Sequence, residues 1–184
     1  MLNEKKMFLK SFLDSPKSVG SIIPSSKYLV QCMLNQADLK KDSKVVELGG
    51  GTGVLTGAIV AAAQFHKPLL VFEQNDDLRQ SLSKYSGDIT LFDDAFELGT
   101  CLSHMANQID CVFSGLPLLN FKKGERVDLL DQIYFILKPG GKFIAFQYTP
   151  FLLPYMNDFF ESTTIKVVPL NIPPAFVFVC EKKA

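Results

Sequence analysis

The apolar positions of this chain change period several times. From Met1 to Ser15 they recur at helical spacing. Met1, Leu2, Phe8, Leu9, Phe12 and Leu13 fall within one arc of about 140° of a helical wheel, with Lys5 inside it and Lys6 and Lys10 beyond one edge. Ser15-Pro16-Lys17-Ser18-Val19-Gly20 reads as a turn, and Pro24-Ser25-Ser26 offers an N-cap for a helix through about Gln36. From Lys44 onward short apolar runs alternate with helical patterns. Strands are expected at 44–48, 69–73, 88–92, 110–113 and 142–148, and helices at 54–64, 76–85 and 126–137. A short helix follows Pro154, then strands at 163–168 and 175–180. Such alternation predicts an α/β fold of right-handed βαβ units around a parallel sheet covered on both faces. The last two strands have no helix between them, so an antiparallel hairpin is expected at one sheet edge. The pattern divides the chain into a helical lip, residues 1–40, and an α/β domain, residues 41–184.

The strongest local signal is Glu47-Leu48-Gly49-Gly50-Gly51-Thr52-Gly53, between a strand and a helix. Glycines there let the backbone turn sharply and approach a ligand closely. The spacing is GxGxG. Val54 excludes GxGxxG, and no Gly-Lys-Ser/Thr follows, so neither a pyrophosphate cradle nor a Walker loop is favoured. Glu47 stands two residues before the first glycine. A buried carboxylate there is costly unless it meets a cation or donors. The α-amino group of S-adenosylmethionine is such a cation, whereas a diphosphate would be repelled. Glu73 ends the second strand, where a carboxylate reaches ribose hydroxyls. Asp93-Asp94-Ala95 follows the third, where an acid can accept from an adenine amino group.

Composition narrows the partners. With 184 residues the chain makes one domain. Hydrophobic residues at 47% and a mean hydropathy of +0.16 exclude a disordered chain. The formal net charge of zero excludes a nucleic-acid binder that relies on bulk positive charge. The charge is uneven, however: Lys5, Lys6, Lys10, Lys17 and Lys27 face only Glu4 and Asp14 in residues 1–30. No apolar run approaches the ~18–20 residues of a membrane span. Lys10 interrupts any signal-peptide core. Cys32, Cys101, Cys111 and Cys180 form no CxxC pair and read as buried, reduced thiols of a cytosolic protein. His66 and His104 read as solvated, and no metal-ligand spacing appears.

Over about Lys44 to Cys180 the chain resembles the class I S-adenosylmethionine-dependent methyltransferases. The residues that carry this are Val46-Glu47-Leu48-Gly49-x-Gly51-Thr52-Gly53, Glu73, Asp94-Ala95 and Leu137-Lys138-Pro139-Gly140-Gly141. The resemblance implies a Rossmann-like, mostly parallel seven-stranded sheet with an antiparallel last strand, and S-adenosyl-L-methionine as cofactor. Glu47, Gly49, Gly51 and Gly53 would hold the methionine end, Glu73 the ribose, and Asp94 with Ala95 the adenine, with Gln74 and Ser114 also among the cofactor-binding residues. Gly50 departs from the commoner Pro, Ala or Cys, a change expected to alter loop stiffness without abolishing cofactor binding.

The acceptor is read from Ser114-Gly115-Leu116-Pro117-Leu118-Leu119. Ribosomal RNA adenine-N6 methyltransferases have Asn-Leu-Pro-Tyr or a close variant in a similar stretch. Here Gly115 and Leu118 replace the base-reading Asn and the stacking aromatic, which argues against a flipped base. The stretch instead resembles the bacterial phospholipid N-methyltransferase family, which methylates phosphatidylethanolamine towards phosphatidylcholine. Pro16 to Ser26, Phe146-Gln147-Tyr148-Thr149-Pro150 and Asn171-Ile172-Pro173-Pro174-Ala175 resemble it too, with Gln147 a departure. That family implies a peripheral enzyme at the cytoplasmic face of a membrane and a phospholipid substrate. Ser114, Leu116 and Tyr148 would be the catalytic candidates, and Asn171 would border the acceptor. A desolvating site, or an acceptor group such as Tyr148 or the backbone carbonyls of Ser114–Leu116, would help the amine release its proton. The 1–15 pattern fits an interface helix, and equally a face packed on the domain. A ribosomal RNA adenine, another amine, or a non-catalytic cofactor-binding scaffold are the alternatives.

Overall fold

The structure, a computed structural model, describes residues 25–63 and 65–184. The helix expected over residues 1–15, the turn after it and the rest of the lip to residue 24 lie outside the described residues. Helix α1 (Lys27–Leu34) begins as its capping serine predicts, with Ser26 Oγ accepting from the Leu29 N–H at 3.2 Å.

Seven strands form one sheet: β1 (Val45–Leu48), β2 (Leu69–Phe72), β3 (Ile89–Phe92), β4 (Ile109–Ser114), β5 (Leu137–Gln147), β6 (Ser162–Val168) and β7 (Ala175–Glu181). Their spatial order is β3-β2-β1-β4-β5-β7-β6. The first five pair in parallel, while β7 runs antiparallel to both β5 and β6, so the expected hairpin closes one edge. The order reverses between β1 and β4, the crevice where open α/β sheets bind ligands.

The connecting helices are α2 (Val54–Ala63), α3 (Asp76–Leu82), α4 (Leu98–Cys101), α5 (Lys123–Ile136) and α6 (Leu153–Phe159). Because strand side chains alternate, β1 sends Val46 and Leu48 into one core with Leu129, Leu130 and Ile133 of α5. Val45 joins the opposite core, with Leu29 and Met33 of α1, Leu55 and Ile59 of α2 and Leu82 of α3.

Several element limits differ from the sequence pattern; helix α5, for one, starts at Lys123 and not at Arg126. Helix α3 stops at Leu82 and tightens into a 3₁₀ turn over Ser83–Tyr85, which sets the Tyr85 hydroxyl to donate to the Gly53 carbonyl at 3.2 Å. Strand β5 starts at Leu137 rather than Lys142. The Gly140 N–H donates to Lys182 O at 3.0 Å and the Lys182 N–H to Gly141 O at 2.9 Å, so the Pro-Gly-Gly segment pairs with the chain leaving β7. Helix α6 begins before Pro154, which sits in its first turn where no N–H is needed. Residues 95–105, which carry no legible period, form α4 and the 3₁₀ turns around it.

Candidate active site

Parallel register brings the strand ends to one edge. Leu48 pairs with Phe72 on one side and Ser114 on the other, and Phe72 pairs with Phe92. Glu47, Glu73, Asp94 and Ser114 therefore gather within a residue or two of one line, although they are far apart in sequence.

The glycine loop is shaped by contacts on every side. The Gly49 and Gly50 N–H groups donate to Phe72 O at 2.8 and 3.3 Å. Gly51 has φ +54° and is open to solvent or ligand: a Cβ there would meet nothing within 4 Å. Gly50 is required for a different reason. A Cβ on it would lie 2.7 Å from Val71 Cγ1 and 2.8 Å from Leu82 Cδ1, so neighbouring side chains already fill the space a larger residue would need. The departure noted at this position is a packing adaptation.

Glu73 is buried, and both its oxygens are engaged. Oε2 accepts from the Gly51 N–H and Oε1 from the Asn75 N–H, each at 2.8 Å. Each oxygen keeps a lone pair for a ligand hydroxyl. Asp94 Oδ1 caps the next turn, accepting from the Phe96 N–H at 2.9 Å. The adjacent Asp93 is exposed and pairs with Arg79.

Gly49, Glu73, Gln74, Asp94, Ala95 and Leu116 line one cleft, closed by Phe72, Phe96 and Phe121. Phe72 stacks on Phe92 at 4.7 Å, and Phe96 meets Phe121 edge-on at 5.1 Å. The aromatic walls were not among the expected site residues, although Phe72 and Phe96 adjoin the expected Glu73 and Ala95. Glu47, Gly51, Gly53, Ser114 and Tyr148 are not on that lining. Glu47 lies on the other face of β1, beside Thr56 of α2.

Glu47 is fully buried, and neither of its oxygens has a hydrogen-bond partner among the described residues. Burial pushes its carboxyl up to about 8. The Thr56 hydroxyl draws it down without closing a hydrogen bond, and the Glu73 carboxylate adds to the rise.

No family model matches the chain. Over 180 residues it is 29% identical to the ornithine lipid N-methyltransferase of Singulisphaera acidiphila, covering 95% of this chain and 94% of that protein. The Burkholderia thailandensis 1,6-didemethyltoxoflavin-N1-methyltransferase, solved with bound 1,6-didemethyltoxoflavin and S-adenosylhomocysteine, matches with a TM-score of 0.72 at 12% identity. It covers 99% of this chain and 90% of that one. The precorrin-6y C5,15-methyltransferase of Geobacter metallireducens matches with a TM-score of 0.67 at 17% identity, over 86% and 89% of the two chains. The chain is an S-adenosylmethionine-dependent methyltransferase of the class I fold.

The residues of this methyltransferase fit that cofactor. An unpartnered buried acid is costly until a cation meets it, and the cofactor's methionine end carries one. The loop is bare where a ligand must come close: a Cβ on Gly51 would meet nothing within 4 Å.

The expected acceptor residues sit at the same edge. Ser114 is buried, and its Oγ accepts from the Leu116 N–H at 3.2 Å. Leu116 O accepts from the Leu118 N–H and from Gln147 Nε2, both at 2.9 Å, so its lone pairs are taken. Tyr148 is half-buried against Phe146. Burial pushes its hydroxyl up and a hydrogen bond with Asn171 draws it back. Asn171 ties the β6–β7 loop to α1, its Oδ1 accepting from the Ser26 N–H at 3.1 Å.

The remaining expectations concern residues away from the cleft. His66 and His104 are exposed, and His66 pairs with Asp42 at 2.9 Å. Cys111 and Cys180 are buried free thiols, whereas Cys32 and Cys101 are only half-buried because they lie on helix flanks. Among the described residues no cluster could hold a metal ion and no helix is long and apolar enough to cross a membrane.

Proposed function

We propose that this methyltransferase transfers a methyl group to the primary amine of a membrane-lipid head group. The near full-length likeness to an ornithine lipid N-methyltransferase carries the reading, and the rim after β4, which lacks base-reading groups, supports it. When bound, the cofactor supplies a methyl group activated by the sulfonium for in-line displacement. The protein's part is then to align and to desolvate.

In this reading Glu47 and the loop of Gly49, Gly51 and Gly53 hold the methionine end. Glu73 and Gln74 hold the ribose, and Asp94 with Ala95 the adenine. Ser114 to Pro117, Tyr148 and Asn171 border the amine. The amine must arrive neutral, and an ethanolamine nitrogen resembles lysine, whose reference value is about 10.4. The apolar rim favours its uncharged form. The raised Tyr148 hydroxyl stays protonated at neutral pH, so it orients the amine as a hydrogen-bond partner and not as a phenolate base. Residues 1–15, with their lysine-edged apolar pattern, serve as the contact with an anionic bilayer on the cytoplasmic face.

The test is incubation with methyl-labelled cofactor and, separately, phosphatidylethanolamine vesicles, ornithine lipid vesicles and ribosomal RNA, with products separated by chromatography. Label in either lipid supports the reading, and which lipid carries it fixes the head group. Label in RNA alone overturns it.

A further inference from the structure

The loop after β4 is held by side chains that the cofactor does not require. Within it the Pro117 carbonyl accepts from the Asn120 N–H at 2.9 Å. The carbonyls of Leu118 and Leu119 accept from Arg126 Nη1 at 3.2 and 3.3 Å. Arg126 is a buried guanidinium of α5, with its Cζ 4.1 Å over the ring of Tyr155. Leu116 is fixed at both backbone ends: its N–H by Ser114 Oγ, its carbonyl by the Leu118 N–H and by Gln147.

Gln147 sits buried at the end of β5, and its Nε2 donates to Leu116 O at 2.9 Å and to Phe146 O at 2.7 Å. Its bond to Leu116 is not needed to satisfy that carbonyl, because the Leu118 N–H already does so. The bond instead fixes the carbonyl's direction and closes it to any other donor. One carbonyl of the loop is different. Among the described residues nothing donates to Gly115 O, and Gly115 is half-exposed, packed so close to the glycine loop that a Cβ on it would stand 3.3 Å from Gly49 O.

We propose that Gln147 and Arg126 are positioning residues for the acceptor amine: by taking up the carbonyls of Leu116, Leu118 and Leu119 they leave that of Gly115 to receive the amine's N–H. The inference rests on the lipid-amine reading above. The amine is thereby directed to one oxygen beside the glycine loop, and its lone pair has one orientation instead of several. A misplacement of about 1 Å in such an arrangement costs on the order of 100-fold in rate.

The experiment compares the full-length protein with Gln147→Leu, Gln147→Glu and Arg126→Lys. The assay uses whichever lipid amine the unaltered enzyme methylates, with cofactor affinity and thermal midpoint measured alongside. Gln147→Leu keeps the size and removes both donors. The expected result is a fall in kcat of about 10- to 100-fold, with cofactor affinity within about twofold. Gln147→Glu supplies a pH signature. Its carboxylic acid donates to Leu116 O when protonated and repels it when ionised, so its rate relative to the unaltered enzyme rises as pH falls. Arg126→Lys, which retains a donor and charge but not the planar fork, loses less rate than Gln147→Leu.

A rate for Gln147→Leu within about twofold of the unaltered enzyme overturns the inference. So does a flat relative pH profile for Gln147→Glu, which decides the matter if the leucine variant does not fold. Loss of rate, cofactor affinity and thermal midpoint together also overturns it, since that is what a purely structural role predicts. An unaltered enzyme that methylates RNA and neither lipid removes the lipid reading itself, and this inference with it.

Discussion

Glu47 is the residue whose chemistry depends most on what fills the site. Its carboxyl titrates at about 8 in the folded protein, against about 4.3 in an unfolded chain. The folded state therefore holds a proton that the unfolded state has lost. The group's contribution to stability is complete below about pH 4 and drains away as pH rises towards 8. Glu47→Gln, a neutral isostere, is expected to flatten that slope: thermal melts of the cofactor-free protein should show the variant gaining on the parent as pH rises. Cofactor binding runs the other way. A cation that pairs with Glu47 favours the ionised form, so binding near neutral pH should release about one proton. Calorimetry in buffers of different ionisation enthalpy measures that release. In Glu47→Gln it should vanish, with affinity down about 10- to 100-fold, as expected for a lost hydrogen bond to a charged group. Unchanged proton release would place the methionine end elsewhere. Glu73 carries two loads, because its oxygens accept from Gly51 and Asn75 as well as facing the cleft. Glu73→Ala should lower the stability of the cofactor-free protein by about 1–3 kcal/mol and weaken cofactor binding at least tenfold. Unchanged affinity would remove the ribose assignment. These acids were legible in the sequence because each stands at the end of a strand, Glu47 as the last residue but one of β1 and Glu73 just after β2, and parallel strand ends share one edge. The positioning roles proposed for Gln147 and Arg126 were not legible. Their partners are backbone carbonyls 31 and 7–8 residues away, set by the fold and carried by no motif.

Among the elements, the loop between β1 and α2 shows how a family pattern and a particular core must agree. Alanine at position 50 is unremarkable by resemblance, yet here its Cβ would press on Val71 and Leu82, the latter at the end of α3. Gly50→Ala is expected to cost about 1–3 kcal/mol. Because the clash is with side-chain ends, Gly50→Ala combined with Leu82→Ala should lose less than the two single losses added together. Denaturant titration of the four proteins of that cycle gives the coupling directly. Strict additivity would mean that the loop backbone, not Leu82, takes up the strain. Element type was read well wherever the period was long or the strand apolar, as in α5 and β1. Element limits were read less well where a tertiary bond overrides local chemistry. The Lys138-Pro139-Gly140-Gly141 run has turn composition, but pairing with Lys182 draws it into β5. Helix α4 spans Leu98–Cys101, barely one turn, so no periodicity can announce it.

At the scale of the whole molecule, an enzyme for a lipid amine must bring its cleft to a surface that its substrate does not leave. The hydrogen bond from the Ser26 N–H to Asn171 joins the start of α1 to the β6–β7 loop. At that corner Lys27 and Tyr28 from α1, and Leu170 and Ile172 from the loop, are exposed. Tyr148, through Asn171, stands just behind it. The chain enters this corner from residues 1–24, and residues 1–30 carry a surplus of positive charge that the rest of the neutral molecule offsets. Charge on the lip and apolar groups at the corner would act together, the first as a screened, long-range attraction and the second as short-range insertion. Flotation separates the two. The full chain should float with vesicles rich in anionic lipid, less so with zwitterionic ones, and partly detach in about 1 M salt, where the Debye length falls to about 3 Å. A chain lacking residues 1–15 should lose the salt-sensitive part of that binding and show a raised KM on vesicles, while its turnover of a short-chain, water-soluble amine lipid stays that of the parent. Equal flotation of the two chains would move the contact from the lip to the Tyr28, Leu170 and Ile172 corner. No flotation of either would mean that the amine is met in solution, and the lipid reading would then have to rest on a substrate delivered by another protein.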